Sequence, residues 1–198
     1  MNADERAQIQ ARLPGQVPAE EYRELMSAFP TGVAVVTALD AAGGPCGMTC
    51  SSLTSVTVAP PTLLVCLRIG SRTCDAVHGC GVFGVNLLHA RAHRTARLFS
   101  SPTPDRFSQV RWGVSGNGLP WLCDDAFAFA ECHLTRRVEV GDHMVLFGQV
   151  SCIAQTADTP LLYGLRRFAS WSLDGREDNG ALSPSHAPAV IPGREPIQ

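Results

Sequence analysis

Residues 126–155 read AFAFAECHLTRRVEVGDHMVLFGQVSCIAQ, and this stretch decides the fold class. In its first half Ala126, Ala128, Ala130, Cys132, Leu134, Val138 and Val140 are small or apolar, while the intervening positions include Glu131, His133, Arg137 and Glu139. A period of two is that of a strand with one face on a core. Gly141 and Asp142 make a turn, and the run from His143 returns as the antiparallel partner.

The theme repeats on either side. TGVAVVTAL (31–39), CGMTCSSLTSVTV (46–58) and TLLVCLRI (62–69) are enriched in β-branched residues and are separated by GGP and by Pro60-Pro61, which predicts consecutive strands with hairpin-like connections. VFGVNLL (82–88) adds another strand. Helical spacing is confined to short pieces. Tyr22, Leu25, Met26 and Phe29 follow the i, i+3, i+4, i+7 pattern from Ala19 until Pro30 stops it, and two further helices are expected over Arg72–His78 and His89–Phe99. A Ser-, Pro- and Gly-rich loop spans 100–120, and LLYGLRRFASWSL (161–173) ends the folded part. Seven or so strands at hairpin spacing predict a mainly β, antiparallel barrel and not a doubly wound sheet. Residues 1–17 read as a flexible polar lead, 18–174 as one domain, and 175–198 as a disordered tail rich in Pro, Gly and Ser.

Composition narrows the chemistry. The chain has 198 residues, 45% of them hydrophobic, and a formal charge of -2, which suits one globular domain. Every basic side chain apart from histidine is arginine, so neither a phosphate-loop lysine nor a lysine Schiff base can be made. The eight cysteines form no CxxC pair and no histidine pair completes a finger, so no metal site is predicted. Cysteines inside apolar runs such as LLVCL behave as small hydrophobes, which points to a reduced, cytoplasmic protein. The polar N-terminus lacks a secretory h-region, and no apolar run approaches membrane-span length.

Four local patterns bear on function. Gly79-Cys80-Gly81-Val82-Phe83-Gly84 matches GxGxxG, but a helix precedes it and a strand follows, the reverse of a dinucleotide fingerprint. Its glycines read as helix termination and close strand packing. Gly47-Met48-Thr49-Cys50-Ser51-Ser52-Leu53-Thr54-Ser55 carries five hydroxyls in nine residues. Such a wall can hydrogen-bond a polar heterocycle or phosphate, or it can be a solvated edge strand. Ser71-Arg72-Thr73 lies between a strand and a helix, where free amides, hydroxyls and a guanidinium converge on an anion, or where Ser71 is simply an N-cap. Arg91, Arg94 and Arg97 form a basic face that reads as solvated, with no nucleic-acid partner expected.

Taken in order, FPTGVAVVTA, GMTCSSLTSVTVAPPTLLVCL, SRT, GVFGVNLL, GDH and PLLY resemble the flavin reductase family that accompanies two-component flavin-dependent monooxygenases, over residues 22–172. The resemblance implies a split β-barrel of Greek-key type, a homodimer, and hydride transfer from NADH or NADPH to FMN or FAD, with reduced flavin diffusing to a partner oxygenase. It implies that Pro30, Thr31, Gly47, Met48, Thr49, Cys50, Ser51 and Ser52 line the isoalloxazine and ribityl chain. Ser71, Arg72 and Thr73 would take the phosphate, with Asn86 nearby. His143 would be the catalytic residue beside the nicotinamide, with Tyr163 and Phe168 near the mouth. Cys50 departs from the small alanine or serine that members often carry. Hydride passes directly between two heterocycles held about 3–3.5 Å apart, so no general base is needed, in keeping with a sequence that displays no Ser-His-Asp or paired-carboxylate constellation. Two other readings stay open: a non-catalytic split-barrel module that carries flavin or haem, and an oxidase that retains its flavin.

Overall fold

The computed structural model describes residues 17–171. The expectations for a flexible lead over 1–17, apart from Val17 itself, and for a disordered tail over 175–198 lie outside the described residues. Helix α1 (Ala19–Ser27) precedes strands β1 (Thr31–Gly32), β2 (Ala34–Leu39), β3 (Pro45–Cys50), β4 (Thr54–Val58) and β5 (Pro61–Arg68). Then come α2 (Arg72–Cys80), β6 (Val82–Leu88), α3 (His93–Ser100) and a 3₁₀ turn (Arg106–Gln109). The rest is β: β7 (Gly113–Val114), β8 (Pro120–Trp121), β9 (Ala126–Val140), β10 (His143–Gln155), β11 (Leu161–Gly164) and β12 (Arg167–Ser170).

Seven strands form one sheet in the order β3-β2-β6-β9-β10-β5-β4, every neighbouring pair antiparallel. Its two edges, β3 and β4, are consecutive in sequence, so the sheet curls until its edges approach at residues 51–53. That is the split of the barrel. The stretch 46–58, read as one strand, is therefore two, because the chain must turn where one edge of the sheet gives way to the other.

The expected hairpin is present, with His143 opposite Val140 on β9 and Arg68 on β5. Its period-two reading needs one correction. Phe129 and Glu131 lie on the face expected to be polar, yet both are buried. The β7–β8 hairpin folds back over them: Trp121 stacks near Phe129 at 5.9 Å, and the backbone and side-chain amides of Asn117 both donate to the Glu131 carboxylate. A charge can be buried there because its oxygens are hydrogen-bonded.

β2 is buried on both faces, and this splits the core in two. Val36 and Ala38 face the barrel interior with Val65, Leu67, Phe83, Val85 and Leu146, and α2 plugs one end with Cys74, Ala76 and Val77. Val33 and Val35 face the other way, into a layer with Ala96, Phe99, Phe107, Leu122 and Leu161 beneath α3. A strand covered on both sides reads as a continuous apolar run, as TGVAVVTAL does.

The GxGxxG glycines serve packing. Gly81 caps α2 in the left-handed region at φ 72°, its amide returning to Val77 O. A Cβ on Gly84 would meet Thr37 Oγ1 at 2.6 Å and Phe129 Cε2 at 2.7 Å. The helix expected from His89 begins at His93, since residues 89 and 90 are held in extended pairing by a bridge from His89 to Pro160 and by Ala90 N donating to Thr159 O. α1 has the predicted amphipathic spacing but buries nothing: Tyr22, Leu25, Met26 and Phe29 are all exposed. It is tied down at its ends, where Leu165 N donates to Ser27 O and Arg166 pairs with Glu20.

Candidate functional site

A cleft of about 600 Å³ opens between β3, the start of α2 and the segment 99–107. Cys46, Gly47, Met48 and Thr49 make its floor, Ser71, Arg72 and Thr73 one end, and Phe99 to Phe107 the opposite wall. The structure thus brings together two stretches that are more than twenty residues apart and that the sequence singled out separately. They meet because β3 is an edge strand, and α2 packs against β2 and β3 through its buried face.

Ser71 is the N-cap of α2. Its Oγ accepts from Cys74 N at 3.2 Å and donates to Arg68 O at 2.7 Å. Asp75 N is taken by Ser71 O, so among the described residues the amides of Arg72 and Thr73 are the ones left open at the helix start. These two amides and the buried Thr73 side chain form a polar end suited to an anion. The Arg72 guanidinium turns away. Its Nε and Nη2 both donate to Asp40 Oδ2, and Asp40 is itself held by Gly44 N at 2.8 Å and Ala42 N at 3.0 Å. The guanidinium holds the Asp40 carboxyl below the usual carboxylate range, assisted by the Gly44 amide. A second hollow of about 540 Å³, which includes Gly70, Asp75 and Cys80, lies beyond this ion pair.

The hydroxyl-rich stretch divides into different roles. Thr49 Oγ1 donates to Ala96 O at 2.7 Å and so ties β3 to α3. Ser52 Oγ accepts from Cys66 N and donates to Cys66 O, and it lies 3.1 Å from the buried Cys50 sulfur. Thr49 and Ser52 therefore hold the scaffold, a correction to the reading of a continuous ligand-facing wall. Ser51, Thr54 and Ser55 are exposed, the last two on the edge strand β4. Burial pushes the Cys46 thiol up to about 11 and raises Cys50 as well, which keeps both neutral.

Asn86 also needs correcting. It is wholly buried, its Nδ2 donating to Val35 O at 3.1 Å and Thr37 Oγ1 at 3.2 Å while Oδ1 accepts from Leu122 N at 2.9 Å. With both ends of its amide engaged, it pins the 119–122 segment to the barrel and contributes nothing to the cleft.

The other predicted residues lie away from the cleft lining. His143 starts β10 directly opposite Arg68, the residue whose carbonyl accepts from the Ser71 N-cap hydroxyl. Its Nδ1 lies 2.7 Å from Asp142 Oδ1 on a half-exposed ring, so the proton shared with that carboxylate sits on Nδ1, and Nε2 has no hydrogen-bond partner among the described residues. That contact lowers the Asp142 carboxyl through its hydrogen bond to His143 and the charge of the ring. Pro30, Thr31, Tyr163 and Phe168 gather in a separate three-stranded patch, with Thr31 opposite Tyr163 and the Tyr163 and Phe168 rings 5.2 Å apart. Thr31 Oγ1 is buried without a hydrogen-bond partner. Arg97 stacks on Phe168 at 5.6 Å and links this patch to α3.

Arg106 went unforeseen. It lines the cleft with a guanidinium that donates only to backbone carbonyls among the described residues, and no side-chain pattern announces such a role.

The chain matches the model of the flavin reductase like domain over residues 26–172. It is 56% identical over 164 residues to a flavin reductase (NADPH) of Lentzea aerocolonigenes, covering 82% of this chain and 96% of that protein. Among solved structures, a Streptomyces globisporus NADH:FAD oxidoreductase in complex with NAD and FAD fragments superposes with a TM-score of 0.75 at 31% identity, covering 83% of this chain and 99% of the other. The styrene monooxygenase flavin reductase of Pseudomonas putida gives 0.71 at 32% identity, covering 77% and 98%.

Proposed function

The chain belongs to the flavin reductase family, and from that premise we propose that it is an NAD(P)H:flavin oxidoreductase whose reduced product is handed to a partner monooxygenase. The observation that carries this reading is the cleft itself, which joins a β3 floor to the open amides of α2. Its volume lies within the range of small-molecule sites, and its lining combines apolar surface from Met48, Phe99 and Phe107 with a few convergent polar groups.

The residues present fit a flavin. The amides of Arg72 and Thr73 with the Thr73 side chain would hold its phosphate, while Gly47 and Met48 on the cleft floor would face the ring. Arg72 contributes a backbone amide in preference to its charge, because Asp40 occupies the guanidinium. Such a site holds its ligand moderately, as a product that must leave requires; micromolar affinity corresponds to about -8 kcal/mol. When bound, the flavin supplies the hydride acceptor and the nicotinamide the hydride. His143, held by Asp142 through Nδ1, would orient the nicotinamide at the cleft's edge. Thr31, Tyr163 and Phe168 would border the entrance from the neighbouring patch, with Pro30 shaping the approach to it.

Two further features belong to this reading. The open apolar face of α1, with Tyr22, Leu25, Met26 and Phe29 all exposed, supports a homodimer in which a second copy covers it. Eight free cysteines support a reducing, cytoplasmic setting, and among the described residues no helix is long and apolar enough to cross a membrane. The test is a kinetic cross of FMN and FAD against NADH and NADPH with the purified protein. At least one pair should consume nicotinamide in a flavin-dependent manner; no consumption with any of the four pairs would end the reading.

A further inference from the structure

The geometry points to Arg106 as the residue that sets the width of the cleft and thereby its affinity for flavin, an inference that rests on the flavin reading of that cleft. Arg106 opens the 3₁₀ turn and is half-buried. Its Nε donates to Thr103 O at 3.0 Å, Nη1 to Gly47 O at 2.9 Å and Phe99 O at 3.4 Å, and Nη2 to Ser101 O at 2.5 Å. Gly47 belongs to the floor, and Phe99, Ser101 and Thr103 belong to the wall. One planar fork therefore fixes the separation of the two surfaces between which a ligand must fit.

Two of these acceptors, Gly47 O and Phe99 O, are open for a physical reason. β3 pairs only with β2, so as an edge strand it has carbonyls without a ladder partner, and Gly47 O is one that Arg106 takes. At the end of α3, Arg97 O is taken by Ser100 Oγ and Leu98 O by Ser101 Oγ, which leaves Phe99 O to the guanidinium. A cation is favoured at that pole of a helix. No carboxylate pairs with Arg106 among the described residues, so its donors are committed to the backbone. Thr49 also joins β3 to α3, but through Ala96, one turn back inside the helix, so among the described residues Arg106 is the hydrogen-bonded tie between the floor and the 101–105 segment. Lysine keeps the charge but lacks the rigid fork that spans floor and wall together.

The role is positional, and the experiment reads affinity apart from chemistry. In the full chain, Arg106→Lys and Arg106→Gln are compared with the parent for riboflavin and FMN binding by fluorescence quenching, and for steady-state kinetics, with thermal melting to establish that each is folded. Wherever a variant folds, both flavins should bind about tenfold more weakly, which equals about 1.4 kcal/mol of lost preorganisation. The flavin KM should rise in step, with kcat at saturating flavin and the nicotinamide KM unchanged within about twofold. Lysine, the milder change, should recover part of the loss at most. Parental affinity in a folded variant would overturn the inference, as would a fall in kcat at constant affinity. Weakening confined to FMN would also overturn it, by making Arg106 a phosphate contact. If the parent protein itself binds neither flavin, the flavin reading fails, and this inference with it, before any variant is compared.

Discussion

The Ser52 hydroxyl lies 2.9 Å from the amide nitrogen of Cys66 and 3.2 Å from its carbonyl oxygen, and so clamps the connection between the two sheet edges onto β5. One small side chain satisfies both backbone groups of a partly buried residue at the place where the barrel is split. The same position that resembles a ligand-facing hydroxyl is thus a closure device. Ser52→Ala would leave both groups of Cys66 without that partner and should cost about 1–3 kcal/mol, read by denaturant unfolding. An unchanged midpoint would show the clamp to be idle.

The glycines of GxGxxG should separate cleanly by substitution. Gly84→Ala drives a methyl into Thr37 and Phe129, and overpacking of that kind costs about 1–3 kcal/mol or more. Gly79 lies within α2 and faces open space, so Gly79→Ala should be neutral or stabilising by up to about 1 kcal/mol. Both variants should retain flavin and nicotinamide affinity if they fold. A specific loss of nicotinamide binding in Gly79→Ala would mean the motif holds a dinucleotide after all.

His143→Ala should lower the rate of hydride transfer at least about tenfold while the flavin dissociation constant stays within about twofold, because His143 is not part of the cleft lining. Asp142→Asn should produce a weaker version of the same defect, since the ring loses the carboxylate that orients it. Stopped-flow reduction and equilibrium titration check the two quantities separately. Equal loss in both would place His143 in the flavin site.

Two buried thiols give the alkaline side of the stability curve a direction. Burial raises Cys46 to about 11 and Cys132 to about 12, from an unfolded value of 9.0. The folded state keeps protons that the unfolded chain releases, so the contribution is fully present below pH 9 and is lost as pH climbs toward 11–12. Each unit of difference is worth about 1.4 kcal/mol, so the fall should amount to a few kcal/mol in order of magnitude. Cys132→Ala should flatten it, as measured by urea unfolding between pH 8 and roughly 11. In the native protein at pH 8, iodoacetamide should label the exposed Cys80 and leave Cys46 and Cys132 untouched until denaturant is added.

Much of the barrel was legible because its strands are governed by local rules. The β6 run 82–88 and the β9–β10 hairpin follow from β-branched enrichment, period two and a Gly-Asp turn. What escaped is non-local. Phe129 and Glu131 look like outward positions until the β7–β8 hairpin returns to cover them, and no window centred on β9 contains that hairpin. The break at 51–53 depends on which strands become sheet edges. In the candidate site, the stretches 47–49 and 71–73 could be picked out by residue type, but their meeting in one cleft is a product of topology. The family resemblance puts Asn86 near the phosphate, while in the fold its amide is consumed by Val35, Thr37 and Leu122. Arg106 acts wholly on backbone carbonyls, which every residue possesses, so its side-chain surroundings carry no signature.

The most direct measurement is a crystal structure of the protein grown with FMN. Density for the ring should lie against Gly47 and Met48, with the phosphate at the amides of Arg72 and Thr73 and the Arg72 guanidinium still on Asp40. FMN bound elsewhere while this cleft stays filled with water would contradict the account at its centre.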